Sequence, residues 1–396
     1  MSLPASASTT GPAWSNGELV ARSNSDGSLD PTGLVLSVMG LRVGAFGGMT
    51  THAMAIAEMM TVHASHWAVR PIRARAGWSP PPLPSGWQRK LALVESMSWT
   101  TLTPILRKAW PGVPIVVRSG GIEVHRSLAA AASSLTAAEY GEWVAAIRGS
   151  VDLIIVNSRF SAARLAATDL GTVPTAVVTG GAAAPSLGSF RQASERPVAI
   201  VVGRIVAWKG MEHGIEAIAL AQRQMDIGAL VVGDGPDRDA LEDLARERLR
   251  PGTWQFTGAL PHEHCARLIA ESDVLVSMSR VMRTHVGAAS YDSTETMGRA
   301  ICEGLVAGVP VVATSVGGVP EVVRPGAGTL VEEGDVHGAA TAIVSHIRSG
   351  RLDRELVREL RAELGWPSVI EAYARLFDDL CDKHGQTPLL DTPELA

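Results

Sequence analysis

Short apolar runs alternate with amphipathic stretches along most of this chain. The first run, Leu34-Val35-Leu36-Ser37-Val38-Met39, empties into a loop ending Gly44-Ala45-Phe46-Gly47-Gly48, and a helical spacing of apolar residues follows over 49–62. Strand-like runs recur at 67–72, 113–117, 153–156 and 175–178, and segments of helical character lie between them at 91–110, 136–148 and 158–168. A Pro-rich stretch over 79–84 fits neither a helix nor a central strand and reads as an exposed loop. A Gly- and Ala-rich stretch over 180–192 reads as a linker, and the alternation then restarts. Strands are predicted at 198–202, 228–232, 254–257, 274–277 and 309–314, with helices at 212–224, 238–248 and 262–270. A last helix over 366–383 carries Trp366, Ile370, Tyr373, Leu376 and Phe377 on one side.

Fully apolar strands separated by amphipathic helices belong to parallel sheets covered on both faces. The predicted class is therefore α/β, with two Rossmann-like, doubly wound domains facing across a cleft. The expected division is a disordered tail over 1–32, an N-terminal domain over 33–189 and a C-terminal domain over 190–365. A crossover helix over 366–383 would return to the N-terminal domain, ahead of a flexible tail over 384–396.

Composition narrows the function. The 396 residues are 46% hydrophobic and only 5% aromatic, with a formal net charge of −5, so there is no basic field of the kind that wraps nucleic acid. The three cysteines, Cys265, Cys302 and Cys381, stand too far apart for a C-x-x-C motif, so a reducing, cytoplasmic setting is expected, with no disulfide framework or zinc site. No apolar stretch approaches the length of a membrane span. The start of the chain lacks the basic and apolar regions of a signal peptide.

Candidate chemistry gathers in the second half. At Val202-Gly203-Arg204-Ile205-Val206-Ala207-Trp208-Lys209-Gly210 an apolar strand ends in a loop carrying two cations, at the strand end where open α/β sheets bind ligands. Arg204 offers a planar fork to a phosphate and Lys209 a point charge; the plainer alternative is two surface cations beside a turn. Further on, Glu295-Thr296-Met297-Gly298 leads to Glu303 and then to the Val309 strand. A helix starting at Thr296 would offer free backbone N–H groups to an anion and set Glu303 two turns from Glu295, roughly 12 Å along the axis. Two glutamates at that spacing can equally be a solvated helix face. Gly233-Asp234-Gly235-Pro236 reads first as a turn. Asp237-Arg238-Asp239 has the D-x-D form of a metal chelator, but its place at a helix start favours capping, so no metal is predicted.

In order along the chain, Gly203-Arg204, Lys209-Gly210, Gly233-Asp234-Gly235-Pro236, Phe256-Thr257-Gly258, the Glu295 to Glu303 pair, Val309-Pro310-Val311-Val312-Ala313 and Gly317-Gly318-Val319-Pro320-Glu321 resemble the retaining nucleotide-sugar glycosyltransferases of family 4, which have the GT-B fold. The resemblance implies a nucleotide-sugar donor, most commonly a UDP-sugar, as co-substrate, no cofactor, and a small-molecule or glycan acceptor. It implies that Arg204 and Lys209 hold the donor diphosphate and Glu303 the ribose. Glu295 and the backbone at Thr296, Met297 and Gly298 would meet the sugar and phosphate. Gly203 would lie in the diphosphate loop, Ala259 and Leu260 would border the base, and Gly47 and Gly48 would face diphosphate and acceptor. With no metal, those cations and the helix start would stabilise the leaving diphosphate.

Three departures stand out. The family's His-Gly after the strand at 113–117 is replaced by Arg118-Ser119-Gly120-Gly121-Ile122-Glu123-Val124-His125, so Arg118, Glu123 or His125 are candidates to take over its contacts with the sugar or acceptor, although His125 reads first as a satisfied surface histidine. Met297 stands where a Phe is usual. The link over 280–294 is long, and is expected either to shape sugar choice or to be a mobile loop. Two other activities fit the same pattern: a nucleotide-sugar epimerase, and a sugar-nucleotide-binding protein without catalysis. A NAD-dependent dehydrogenase fits less well, because the first glycine loop lacks G-x-G-x-x-G.

Overall fold

The computed structural model describes residues 32–40, 48–64, 66–74, 78–95, 99–183 and 196–386. The predicted N-terminal tail up to residue 31, Gly47 with its loop, residues 184–195 of the linker, and residues 387–396 lie outside them.

The first apolar runs form strands because their neighbours cover both faces. The elements are β1 (Gly33–Gly40), α1 (Gly48–His63), β2 (Trp67–Ala74), β3 (Arg89–Glu95), α2 (Trp99–Ala109), β4 (Ile115–Ser119), α3 (Ile122–Ser134), α4 (Ala137–Arg148), β5 (Leu153–Val156), α5 (Arg159–Ala166) and β6 (Thr175–Val177). All six strands run parallel in the order β2-β1-β3-β4-β5-β6. Side chains alternate across the sheet: Leu34, Leu36 and Val38 pack with α2, α3 and α4, while Val35 packs with α1 on the other face.

Two predictions in this half are corrected. Residues 91–110 do not form one helix: Leu91 and Leu93 belong to the central strand β3, buried on both sides, and only Trp99–Ala109 is helical. A continuous apolar run of that length carries no period that tells a buried strand from a buried helix. The stretch around Glu123 and His125 is not a loop but the first turn of α3, a helix the sequence reading missed.

The second half contains β7 (Val198–Val202), a single 3₁₀ turn (Ala207–Lys209), α6 (Met211–Ala221), β8 (Gly228–Val232), α7 (Arg238–Arg248), β9 (Trp254–Phe256), α8 (His262–Ala270) and β10 (Val274–Ser277). Then follow β11 (Met282–Val286), β12 (Ala289–Ser293), α9 (Arg299–Val306), β13 (Val311–Thr314), α10 (Val319–Val322), β14 (Gly328–Val331), α11 (Val336–Ser349), α12 (Arg354–Leu364) and α13 (Trp366–Lys383). Six of these strands make a second parallel sheet, ordered β14-β13-β10-β7-β8-β9, covered by one apolar layer around Ile215 and Ile343 and another around Ile301 and Leu305. The molecule thus has the predicted class of two facing Rossmann-like α/β domains.

The last helix crosses back to the first domain. Trp366, Ile370, Tyr373 and Phe377 of α13 bury themselves against Val35, Leu91 and Leu93, and the Phe377 ring meets Trp67 edge-on at 5.9 Å. Each such side chain contributes about 1.5–3 kcal/mol by leaving water. Arg89 of β3 can be buried because Asp378 and Asp382 of α13 accept its guanidinium at 3.0 and 2.6 Å. Where the chain crosses between domains, Gly181 and Ala182 donate backbone N–H groups to Leu364 O.

The 280–294 link is an ordered antiparallel hairpin, β11 paired with β12 from Met282↔Ser293 to Val286↔Ala289. It reaches across to the N-terminal domain, where Ser133 of α3 donates to Val286 O and accepts from Ala289 N, and Arg164 of α5 donates to Asp292 O at 3.1 Å. Strand pairing and those contacts order a segment whose sequence reads as a loop.

Candidate functional site

The 3₁₀ turn after β7 points Lys209 at the segment that precedes α9. There its Nζ makes an ion pair with Glu295 Oε2 and also lies 4.6 Å from the centre of the Trp208 ring. Lys209 and Glu295 are 86 positions apart in sequence, and only the parallel arrangement of β7 beside β10 brings them together. Gly203 and Arg204 begin the same loop; Arg204 is exposed, a cation at the carboxyl end of β7.

Glu295 does not stand on the helix. The helix was expected to start at Thr296, but α9 begins at Arg299, with Gly298 at its N-cap at φ 85° and ψ 80°. That left-handed conformation, cheap only for glycine, interrupts any helix continuing back to Glu295. The eight-residue α9 has no side-chain cap at its N-terminus, so its first N–H groups stay available to an external acceptor. The Glu295 segment is held from below by Gly317 and Gly318. Gly318 N donates to Glu295 O at 3.0 Å, and a Cβ on Gly317 would lie 1.9 Å from the same oxygen.

Glu303 is buried inside α9, 4% exposed. Arg299, one turn earlier, approaches its Oε1 to 3.2 Å, and His262 Nδ1 at the start of α8 lies 3.7 Å away. Oε1 nevertheless lacks an aligned hydrogen bond, and burial pushes the carboxyl up to about 7 while Arg299 pulls the other way. A carboxylate so placed seeks hydroxyl donors. Ala259 and Leu260 sit directly before α8; Ala259 is exposed and Leu260 packs on the neighbouring core. Arg299 and His262 escaped the sequence reading, although the i,i+4 spacing of Arg299 and Glu303 was visible.

Thr296 is one of the places where the two domains touch. Its hydroxyl donates to Gly120 O at 2.5 Å, and Asn157 Nδ2 reaches both Gly120 O and Thr296 Oγ1, at 3.1 and 3.0 Å. Met297 turns its side chain into the interior, 5% exposed, where its sulfur accepts from Gly180 N at 3.2 Å. Nearby, Glu321 accepts from Arg159 N and Phe160 N at 2.8 and 2.7 Å, so a C-terminal-domain carboxylate caps the N-terminus of α5. Asn157 and Glu321 in these roles were not foreseen.

Of the three residues proposed to replace the histidine, Arg118 and Glu123 are buried near one another, while His125 faces the hairpin. Arg118 is buried 3.3 Å from Glu95, its register partner on β3, under Tyr373 of α13. Glu123, also buried, accepts from Gly120 N, so it braces the loop beside Thr296. Burial raises its carboxyl above the usual range. His125 is half-buried against α5 and the hairpin, and burial together with Arg164 lowers it to about 4, leaving it neutral. Gly48 opens α1; Gly47 lies outside the described residues. At the D-x-D segment, Asp237 is the N-cap of α7 but makes no side-chain cap, and Arg238 instead pairs with Asp234 and Glu242. The side-chain cap expected here is therefore absent, while Asp239 stands in the first turn of α7, where the expected match to the helix dipole is found. Among the described residues no group of three or more His, Cys, Asp or Glu is placed to hold a metal. Among them, too, no helix is long and apolar enough to cross a membrane.

Lys209, the exposed Arg204, the uncapped start of α9 and the buried Glu303 thus all belong to the C-terminal domain, with Thr296 of the same segment touching the N-terminal one. Residues 188–363 match the family model for glycosyl transferases group 1. Among curated relatives, the 2-deoxystreptamine glucosyltransferase of Streptomyces kanamyceticus is 36% identical over 128 residues, 32% of this chain and 30% of that one. A GDP-mannose-dependent alpha-(1-6)-phosphatidylinositol monomannoside mannosyltransferase of Mycolicibacterium smegmatis is 33% identical over 151 residues, 38% of each chain. The chain thus spans less than half the length of these relatives. Solved structures share the fold over most of the chain. The sucrose-phosphate synthase of Thermosynechococcus elongatus superposes with TM-score 0.60 at 19% identity, covering 88% of this chain and all of that one. Anabaena HepE in complex with UDP-glucose gives 0.53 at 16%, covering 89% and 98%.

Proposed function

We propose that the protein is a retaining glycosyltransferase that moves a hexose or amino-hexose from a nucleoside diphosphate sugar to an acceptor hydroxyl without a metal ion. The observation that carries this reading is the meeting of Lys209 and Glu295 between the exposed Arg204 and the uncapped start of α9. Cleaving a sugar–phosphate bond leaves negative charge on the departing diphosphate, and preorganised cations and N–H groups stabilise that charge as it forms. In the resting state Glu295 neutralises Lys209; a bound diphosphate would compete for the ammonium and free the carboxylate for sugar hydroxyls. Glu303, raised by burial and short of a donor, suits a ribose diol. The group 1 domain match over 188–363 supports the same assignment.

The name of one relative supports a GDP-sugar and the bound ligand of one structural neighbour a UDP-sugar, so both bases are candidates, with UDP favoured. The name of the Streptomyces relative supports an aminocyclitol acceptor. The three free cysteines support a reducing, cytoplasmic setting. The test is incubation with UDP- and GDP-sugars and an acceptor panel that includes 2-deoxystreptamine, with product configuration read by NMR. Transfer with retention is expected. Inversion would overturn the retaining mechanism, isomerised donor in the absence of acceptor would identify an epimerase, and donor binding without any turnover would identify a silent binder.

A further inference from the structure

The β11–β12 hairpin leaves a cleft of about 640 Å³ between itself and helices α3, α4 and α5. That lies within the range of about 300–1,000 Å³ typical of small-molecule sites. One wall belongs to the C-terminal domain, through Arg283, Tyr291 and Asp292, and the other to the N-terminal domain, through Tyr140, Arg164 and Asp169. It is distinct from the Lys209–Glu295 site, none of whose residues line it.

The charged side chains of this lining, Arg164 and Arg283 against Asp169 and Asp292, balance in number. Arg283 pairs with Asp292 at 2.9 Å, Arg164 donates to Asp292 O at 3.1 Å and lies over the Phe160 ring at 5.6 Å, and Tyr140 donates to Asp169 at 2.7 Å. With two arginines against two aspartates, the lining has no net charge to favour an anion or a cation. His125 at the back of the cleft is neutral, so its ring supplies one donor and one acceptor instead of a charge. What remains is two tyrosine rings, fixed dipoles and the hydroxyl of Ser290 around an apolar floor of Leu128 and Ala129. Aromatic faces suit the C–H faces of sugar rings, and paired polar groups that keep free lone pairs suit their hydroxyls.

We propose that the hairpin-walled cleft is a second binding site, for a neutral saccharide, separate from the nucleotide-sugar site. Because its walls come from different domains, an occupant would bridge them. A saccharide can occupy it whether or not the protein transfers sugar.

The test is saturation-transfer NMR on the full chain with maltotriose as probe and glucose 6-phosphate as charged comparator. It is run on the wild type, on Tyr291→Ala and on Ala167→Trp, which fills the cleft from an exposed position. Circular dichroism checks the fold, and a thermal shift with UDP or GDP reads the other site independently. Expected is a maltotriose signal in the wild type that weakens at least tenfold in both variants, with the nucleotide shift unchanged. No signal in the wild type, equal signal in the folded variants, or preference for glucose 6-phosphate would each overturn the proposal. If Tyr291→Ala does not fold, Ala167→Trp decides alone.

Discussion

Lys209 and Glu295 form an ion pair at rest, and the proposed function has a bound diphosphate compete for its ammonium. Removing the ammonium in Lys209→Ala leaves a largely buried carboxylate without its cation and a diphosphate without its counter-charge. Loss of one such preorganised group costs about 3 kcal/mol, so kcat should fall roughly 100- to 1,000-fold with an unchanged circular dichroism spectrum. Glu303 predicts a pH effect. Its folded-state pKa of about 7 stands above the ordinary 4.5, so the native protein holds this proton more tightly than the unfolded chain. Its contribution to stability is therefore greatest below pH 4.5, declines as pH rises through the window from 4.5 to 7, and is flat beyond it, a change of about 3 kcal/mol. Urea unfolding at pH 5 and pH 8 should show that loss in the wild type and not in Glu303→Gln, which mimics the protonated acid. At this scale the sequence offered the residue types and their order. It could not show that Arg118 is consumed by Glu95, because that pairing depends on strands β3 and β4 being neighbours.

Among elements, α5 and the Glu295 segment depend on partners far away in sequence. Glu321→Ala removes two acceptors from the N-terminus of α5, and helix caps are worth about 1 kcal/mol, so the midpoint of thermal unfolding should drop measurably. Gly317→Ala would force a Cβ to within 1.9 Å of Glu295 O, at a φ of 58°. Nucleotide binding by calorimetry should be lost before the fold is, because the displaced backbone is the one that carries Glu295 and Thr296. Helices α7 and α8 and the last helix α13 were legible to the residue, since a solvated face gives them a clear period. Strand β3 and helix α3 were not. The first is apolar throughout, and the second, rich in Ala and Ser, follows a glycine pair that reads as loop.

Among the described residues, contacts between the domains include Thr296 with Gly120 and Asn157, Met297 with Gly180, Glu321 with α5, the hairpin with α3 and α5, and the crossover at Leu364. Replacing 282–293 by a short Gly-Ser link should leave both domains folded and increase the radius of gyration in small-angle scattering. An unchanged radius would show that the remaining contacts set the closure by themselves. The two-domain α/β architecture was determined by the sequence alone, because strands buried on both faces must be apolar throughout and their covering helices must be amphipathic. The order of motifs at the strand ends was likewise written in the chain. Only the tertiary structure decided which charges meet. Ion pairs such as Lys209–Glu295 and Arg118–Glu95, and the docking of a hairpin whose sequence looks like a loop, follow from strand order and domain packing, and these juxtapose residues that no local period relates.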